Sequence, residues 1–444
     1  MRPVSASLVN LGSAARTLLS KLSRKLLVDY ASLLSGQVGR LVFSMVYFVT
    51  LAKTLSLGDF GLFATASSIG IVLSRLCGLG FLSPLYRIAT IRPNLIGVYT
   101  AGYVVAVLVS LPAVGLIAWA IHALIYANSL ALLPFLLILT AEAVFWRSLE
   151  VLIVVKNGLY KYGLAAAISI AGVATKALGA LAFAFFGTGS LEEWALWYFA
   201  LNGLFAALAI ALFYPRRRLR WAPKAWFGRS RDALNVSMAE MLFYAQAELD
   251  KVLVLAVGGE LLAGLYAIIM RLVDLTAIPL RAANTMIVQW IMQARKGGRA
   301  SAARVTVDAA ISAMSICALV GMAVLLGFFP TVLGPNIAGS LPYLWLILLV
   351  PAFRNCIEYH TELLYAHERT GTRVLLLLYL GALKAGLLTV LLNATLDQTQ
   401  TFLWLNAVFA MLYLLSALVT YRSAGGSAAN GLNEPTSATP AAAK

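Results

Sequence analysis

Apolar residues run along this chain in stretches of about 20, the length a helix needs to cross the hydrocarbon of a bilayer, with short polar segments between them. The pattern predicts twelve spans, near residues 30–52, 61–83, 96–121, 129–154, 163–186, 193–214, 233–257, 262–291, 307–329, 340–366, 372–393 and 401–421. The expected fold is therefore an all-α polytopic membrane protein, with about twelve helices in two pseudo-symmetric six-helix bundles around a central lumen. The expected units are a basic amphipathic N-tail (1–28), an N-terminal bundle (29–214), a basic linker (215–231), a C-terminal bundle (232–422) and a tail (423–444). That tail is small, polar and Pro/Gly-interrupted, too poor in apolar surface to fold.

Composition agrees with lipid as the solvent. Hydrophobic residues make up 61% of the chain and charged ones 12%, against roughly 45–50% and about 25% in soluble domains. Lys and Arg then set the topology, because they accumulate in cytoplasmic loops. Of 34 basic residues, 24 fall in the N-tail, the C-tail and alternate loops, seven of them in the linker alone, while the opposite loops hold only Lys53. Both termini are expected to be cytoplasmic. The net charge of +16 carries no basic surface interleaved with aromatics, which argues against nucleic acid as a partner. The first 28 residues contain no acid, and Leu8, Leu11, Leu18, Leu22 and Leu26 recur at helical spacing, so this tail suits an anionic inner leaflet. A transit peptide shares that composition.

Other chemistry is mostly missing. Cys77, Cys317 and Cys356 lie in apolar runs without a pairing framework. There is no P-loop, no HExxH and no His/Cys cluster, so no cofactor, no metal and no enzymatic activity are expected. His360, beside Glu358 and Glu362, reads as a structural helix-end histidine, with a titrating role as the alternative.

Charges inside the spans carry the functional signal. Nine basic residues (Arg40, Arg75, Arg147, Lys176, Lys251, Arg271, Arg281, Arg354, Lys384) join eight acids (Glu142, Glu150, Glu240, Glu248, Asp250, Asp274, Glu358, Glu362). Each costs about 3 kcal/mol at a helix centre facing lipid, so most must face protein or water. Arg271, Asp274 and Arg281 share one helix face, and Arg354, Glu358 and Glu362 another; Gln37, Arg40, Ser44 and Tyr47 make a polar face on the first span. Glu150, Glu248 with Lys251, and Glu362 read as structural pairs. Arg40, Arg75, Lys176 and Lys384 have no acid three or four residues away, so each needs a partner on another helix or a bound anion. Lumen cations for an anionic cargo are thus expected at Arg40, Arg75, Lys176, Arg271, Arg281, Arg354 and Lys384, and ion-coupling carboxylates at Glu142, Glu240, Asp250, Asp274 and Glu358. Arg's planar fork matches phosphate oxygens.

Aligning Asp29 with Asp232 brings Gly61-Leu62-Phe63-Ala64 onto Gly264-Leu265-Tyr266-Ala267, each opening the second span of its half. Such a trace is expected of a parallel repeat. The stretch LAKTLSLGDFGLFATASSIG at 51–70 resembles the opening of the bacterial polysaccharide, or O-antigen, flippases, a family of the multidrug/oligosaccharidyl-lipid/polysaccharide exporter superfamily. The stretch QAELDKVLVLAVGGELLAGLYAIIMRLVDL at 246–275, with Asp250, Lys251 and Arg271, is similar to that family's second half. The resemblance implies a V-shaped pair of bundles that flips undecaprenyl-pyrophosphate-linked oligosaccharide by alternating access, for lipopolysaccharide or exopolysaccharide biosynthesis. Expected partners are the lipid-linked oligosaccharide, membrane lipids and other polysaccharide-assembly proteins. The alternatives are a cation or drug antiporter of the same superfamily, a membrane polysaccharide polymerase or ligase, for which the outer loops are short, and an assembly subunit.

Overall fold

The computed structural model describes residues 24–293, 301–329, 333–367 and 369–430. The predicted N-tail up to residue 23, the basic loop 294–300 and the end of the C-tail lie outside the described residues. Among those described there is no strand, and the helices follow the predicted order. They are α1 Arg24–Thr54, α2 Leu57–Ser74, α3 Leu82–Ile91, α4 Ile96–Ile121, α5 Leu132–Thr140, α6 Arg147–Gly158, α7 Tyr162–Phe186 and α8 Leu191–Phe213. After the linker come α9 Pro223–Gln293, α10 Ser301–Phe328, α11 Pro335–Leu346, α12 Val350–Ala366, α13 Thr370–Asn393 and α14 Gln398–Asn430. Among the described residues, eight helices are long and apolar enough to cross a membrane, or nine if the bent pair α11/α12 forms one span.

Local chemistry explains where the helices depart from the predicted spans. α9 is two helices, because Gly259 has φ 78° and ψ 179°. The Tyr266 hydroxyl donates to Asp250 Oδ2 at 2.9 Å, although 16 residues of straight helix span about 24 Å, so the chain folds back there. The second span ends early at Ser74, where Gly78, Leu79 and Gly80 take positive φ, and the amphipathic α3 follows. The tenth span bends by 78° between α11 and α12, with Pro351 at the start of α12. The fourth is held together by a π-helical turn at Ala141–Trp146. The last helix continues through Asn430, past the boundary at 423 from which a tail was expected; extending an established helix fixes one residue at a time, and no proline intervenes before Pro435.

The two halves pair their helices alike. α1 packs on α7 as the first part of α9 packs on α13, and α7 on α8 as α13 on α14. Between the halves, α2 lies along α9 from one face of the bundle to the other. At the end away from the basic linker, Gly61 and Gly264, the first residues of the two repeated tetrapeptides, touch: a Cβ on Gly61 would sit 2.6 Å from both Glu260 O and Gly264 N, and one on Gly264 2.0 Å from Leu57 O. Midway, the Ser68 hydroxyl donates to Glu248 at 2.9 Å, and Ser237 donates to the carbonyl of Arg75 at 2.6 Å. Near the linker, Phe81 stacks on Trp226 at 6.1 Å.

A four-charge cluster reinforces this seam. Arg147, 2% exposed, donates to Glu150 at 2.7 Å and to Glu240 of the other half at 3.2 Å. Arg75 grips Glu150 with both Nη atoms at 2.9 and 3.0 Å. The second seam, between α1 and residues 260–293 with α11, is bound at the end away from the linker, where Asn336 Nδ2 donates to Ala52 O and Leu55 O at 2.7 and 3.1 Å. Farther toward the linker face, Arg271 donates to the Ser44 hydroxyl; beyond that point Arg40 is exposed and the Arg281 side chain is 52% exposed. Among the described residues, the cleft between the halves is therefore tied at the face away from the linker.

Thermal unfolding of purified variants checks this account. Gly264→Ala is expected to lose about 1–3 kcal/mol, because its methyl meets backbone that cannot yield. Gly321→Ala, with open space around its Cβ position, is expected to unfold no earlier than wild type. Arg147→Met takes from Glu240 its partner at 3.2 Å and leaves Glu150 to Arg75 alone, and is expected to cost about 1–3 kcal/mol, visible as lost membrane abundance; an unchanged melting temperature would contradict the seam.

Candidate functional site

The cleft holds two adjoining cavities, of about 510 and 460 Å³. Their common wall includes Arg40 and Ser44 of α1, Glu248, Arg271 and Asp274 of α9, and Val173 of α7. All seven predicted lumen cations border this space: Arg281, Arg354 and Lys384 line the first cavity, Arg75 and Lys176 the second, and Arg40 and Arg271 both. Lys251 lines the second as well, making eight cations against five carboxylates, Glu142, Glu150, Glu248, Asp274 and Glu358.

Pairing then sorts these groups. The two helix stripes read from spacing face each other and exchange partners: Arg354 Nη2 meets Asp274 at 2.7 Å and Arg281 Nε meets Glu358 at 2.8 Å. Glu362 leaves its stripe for Arg373 at 2.8 Å, and Glu248 holds Lys251 at 2.5 Å. Three of the four cations without an acid nearby in sequence find one on another helix. Arg75 holds Glu150, Lys176 Nζ lies 3.1 Å from Glu142, and Lys384 Nζ lies 2.6 Å from Asp250. Of the two sources of neutralisation that the sequence left open, the structure supplies carboxylates for these three.

Two of the predicted coupling carboxylates do not line the two central cavities. Asp250, 4% exposed, lies beneath Lys384, and Glu240 belongs to the seam cluster. Spacing along one helix reports which residues share a face but not which neighbouring helix covers that face.

Arg40 and Arg271 are the exceptions. Among the described residues neither has a carboxylate within 4 Å; Arg271 bonds the neutral Ser44 hydroxyl and Arg40 is exposed in the cavity. They stand on opposite halves and line the same two cavities. Two guanidinium groups without a carboxylate partner among the described residues, in a space wide enough for water, have the chemistry that suits a phosphate-type anion.

Sequence reasoning missed the phenols and one acid. Tyr198 donates to Glu142 and Tyr266 to Asp250, each completing a lysine–carboxylate pair. Asp308, which falls inside the predicted ninth span, accepts from Tyr421 at 2.5 Å and Tyr413 at 3.1 Å and sits 3.1 Å from His360 Nε2. His360 itself is fully buried and held on its other side by Ser416 at 3.0 Å. A tyrosine in an apolar run carries no sign that its hydroxyl meets a charge.

No protein-family model matches this sequence, and no curated protein matches it. Solved structures do. An inward-facing multidrug resistance MATE family transporter of the MOP superfamily aligns over 90% of this chain and 99% of its own, with a TM-score of 0.59 at 13% identity. A MATE protein in complex with MaD3S aligns over 90% and 94%, with a TM-score of 0.58 at 13% identity. A MOP superfamily transporter from Pyrococcus furiosus, noted for the reverse polarity of its binding pocket, aligns over 90% and 94%, with a TM-score of 0.54 at 14% identity. At such identities the likeness establishes the architecture, and the chain has the helical fold of the MOP superfamily transporters.

Proposed function

We propose that this protein is a transporter that flips undecaprenyl-pyrophosphate-linked oligosaccharide across a bacterial inner membrane by alternating access. The observation that carries the reading is the pair Arg40 and Arg271, charged, unpaired among the described residues and facing one wet cleft from opposite halves. A pyrophosphate bridging them supplies the missing counter-charge and draws the halves together, the kind of differential interaction that shifts a two-state equilibrium. The glycan occupies the polar cleft, and the polyprenyl tail stays in lipid through the seam between α1 and residues 260–293. Arg281, Arg354, Arg75, Lys176 and Lys384 surround the path as paired cations that exchange partners as the headgroup passes. The excess of Lys and Arg in alternate loops supports a cytoplasmic side for both termini. The protein works beside polysaccharide-assembly enzymes and performs no chemistry itself.

The second reading, a cation or drug antiporter, is favoured by the multidrug transporters among the fold's neighbours. It needs a carboxylate free to take a cationic drug. All five carboxylates on the cavity wall are already paired: Glu142, Glu150, Glu248, Asp274 and Glu358 each hold a Lys or Arg.

In a host that lacks its own copy, Arg40→Gln and Arg271→Gln are each expected to cut surface polysaccharide about tenfold at unchanged membrane abundance, the effect of losing one charged hydrogen bond. Arg→Lys at either position is expected to retain part of the output. Full polysaccharide in both Gln variants would overturn the reading, and export of cationic dyes by the wild type would favour the antiporter.

A further inference from the structure

Lys176 and Lys384 occupy equivalent places in the two halves. Each is the fifteenth residue of its helix, counted from Tyr162 in α7 and Thr370 in α13. Each ammonium rests on a cluster of oxygens. Lys384 Nζ lies 2.6 Å from Asp250 Oδ2 and 3.0 Å from the carbonyl oxygen of Gln246, one turn earlier on α9. Asp250 is itself held by the Tyr266 hydroxyl at 2.9 Å and by the backbone N–H of Lys251 at 2.9 Å. In the other half Lys176 Nζ meets Glu142 at 3.1 Å and the Tyr198 hydroxyl at 2.7 Å.

The Asp250 carboxylate and the Gln246 carbonyl, one turn apart within the first part of α9, present two oxygens to one point, and a cation held there offsets the cost of a buried carboxylate. Here a lysine occupies it. The side chain is long and flexible, and a compact ammonium at its tip changes partners more readily than a planar guanidinium. Its other flank borders the cavity that also holds Arg271 and Arg354. A phosphate-type anion in that cavity therefore competes with Asp250 for the same ammonium.

We propose that Lys384 is a tethered stand-in for a coupling cation: anionic cargo draws its ammonium off Asp250, and the vacated carboxylate takes one monovalent cation, a proton or Na⁺, from water. The inference rests on the reading of the cleft as an anion path. A buried carboxylate left alone is costly, so departure of the lysine and arrival of the cation are thermodynamically linked. The same coupling makes the cation strengthen cargo binding by an equal factor. The charged and titratable groups facing Asp250 are Lys384 from α13, Tyr266, Lys251, Glu248 and Asp274 from α9, and Arg354 from α12. Lys251 and Arg354 have carboxylates of their own in Glu248 and Asp274, which leaves Lys384 as the cation that can be exchanged. Glu142 with Lys176 repeats the device in the N-terminal half, with Tyr198 in place of the carbonyl.

Two measurements test this. Lys384→Met leaves the site permanently vacant, so its melting temperature in detergent is expected to rise by about 2 °C or more, relative to wild type, on adding Na⁺ in place of choline or on lowering the pH from 8 to 6. The double variant Lys384→Met/Asp250→Asn is expected to lose that response, and the choline arm separates Na⁺ from the proton. A Lys384→Met protein no more responsive than wild type to either ion would overturn the proposal. The second measurement uses wild type, so it stands even where the variant fails to accumulate. Undecaprenyl pyrophosphate, added in weak buffer with a pH indicator, is expected to bring uptake of about one proton per lipid bound, or Na⁺-dependent binding in its place, and Asp250→Asn neither. Lipid bound with no proton uptake and no Na⁺ dependence would also overturn the proposal; no binding at all would instead overturn the anion-path reading beneath it, with the Lys384→Met response still deciding the cation site.

Discussion

An ionised side chain inside a bilayer protein must meet either an opposite charge or water, and that requirement orders most of this molecule. Within the spans, Arg75 and Arg147 with Glu150 and Glu240, Lys176 with Glu142, Lys251 with Glu248, Lys384 with Asp250, Arg354 with Asp274 and Arg281 with Glu358 are all satisfied by neighbours. Most of these pairs join two different helices, so each fixes a rotation and a depth that lipid-facing leucines leave free. Arg40 and Arg271 are the exceptions: among the described residues neither has a carboxylate partner, and both line the two cavities of the cleft.

The two seams between the halves have different consequences. α2 against α9 is packed along its length by backbone contact at Gly61 and Gly264, by hydroxyl bonds and by the Arg147–Glu240 ion pair. The seam beside α1 is tied near Asn336 and through Ser44 to Arg271, and its exposed charges lie toward the linker face. A molecule whose head is charged and whose tail is apolar needs a cleft of this kind, polar within and bordered by lipid along one side. Opening the opposite face requires separating Gly61 from Gly264, a contact with no side chains to untangle, since two glycines bring backbone onto backbone.

The sequence made much of the fold legible because hydropathy and loop charge act locally. The all-helical membrane architecture and the order of its helices came through, with eight or nine helices among the described residues long and apolar enough to cross a membrane where twelve spans were expected, and the repeated Gly-Leu-Phe-Ala and Gly-Leu-Tyr-Ala elements, read as the trace of a repeat, meet at the contact between the halves. Breaks within spans were harder: the early stop at Ser74 depends on positive φ at Gly78 to Gly80, and the bend before α12 on Pro351, features that leave an apolar run unchanged. The charge stripes on residues 271–281 and 354–362 were visible from spacing. Their mutual pairing, and the partners of Arg75, Lys176 and Lys384, depend on which helices adjoin, which spacing does not encode. Asp308 with His360 lay outside the charge reading for the same reason, being joined only through three helices.

The measurement that bears most directly on the central claim is movement of a fluorescently tagged undecaprenyl-pyrophosphate oligosaccharide between leaflets of proteoliposomes, read by a membrane-impermeant quencher. Wild-type protein is expected to equilibrate the label between quenchable and protected pools without ATP, and protein carrying Glu in place of both Arg40 and Arg271 is expected to leave it where it started. Equal movement by the two proteins, or none by the wild type, would contradict the account.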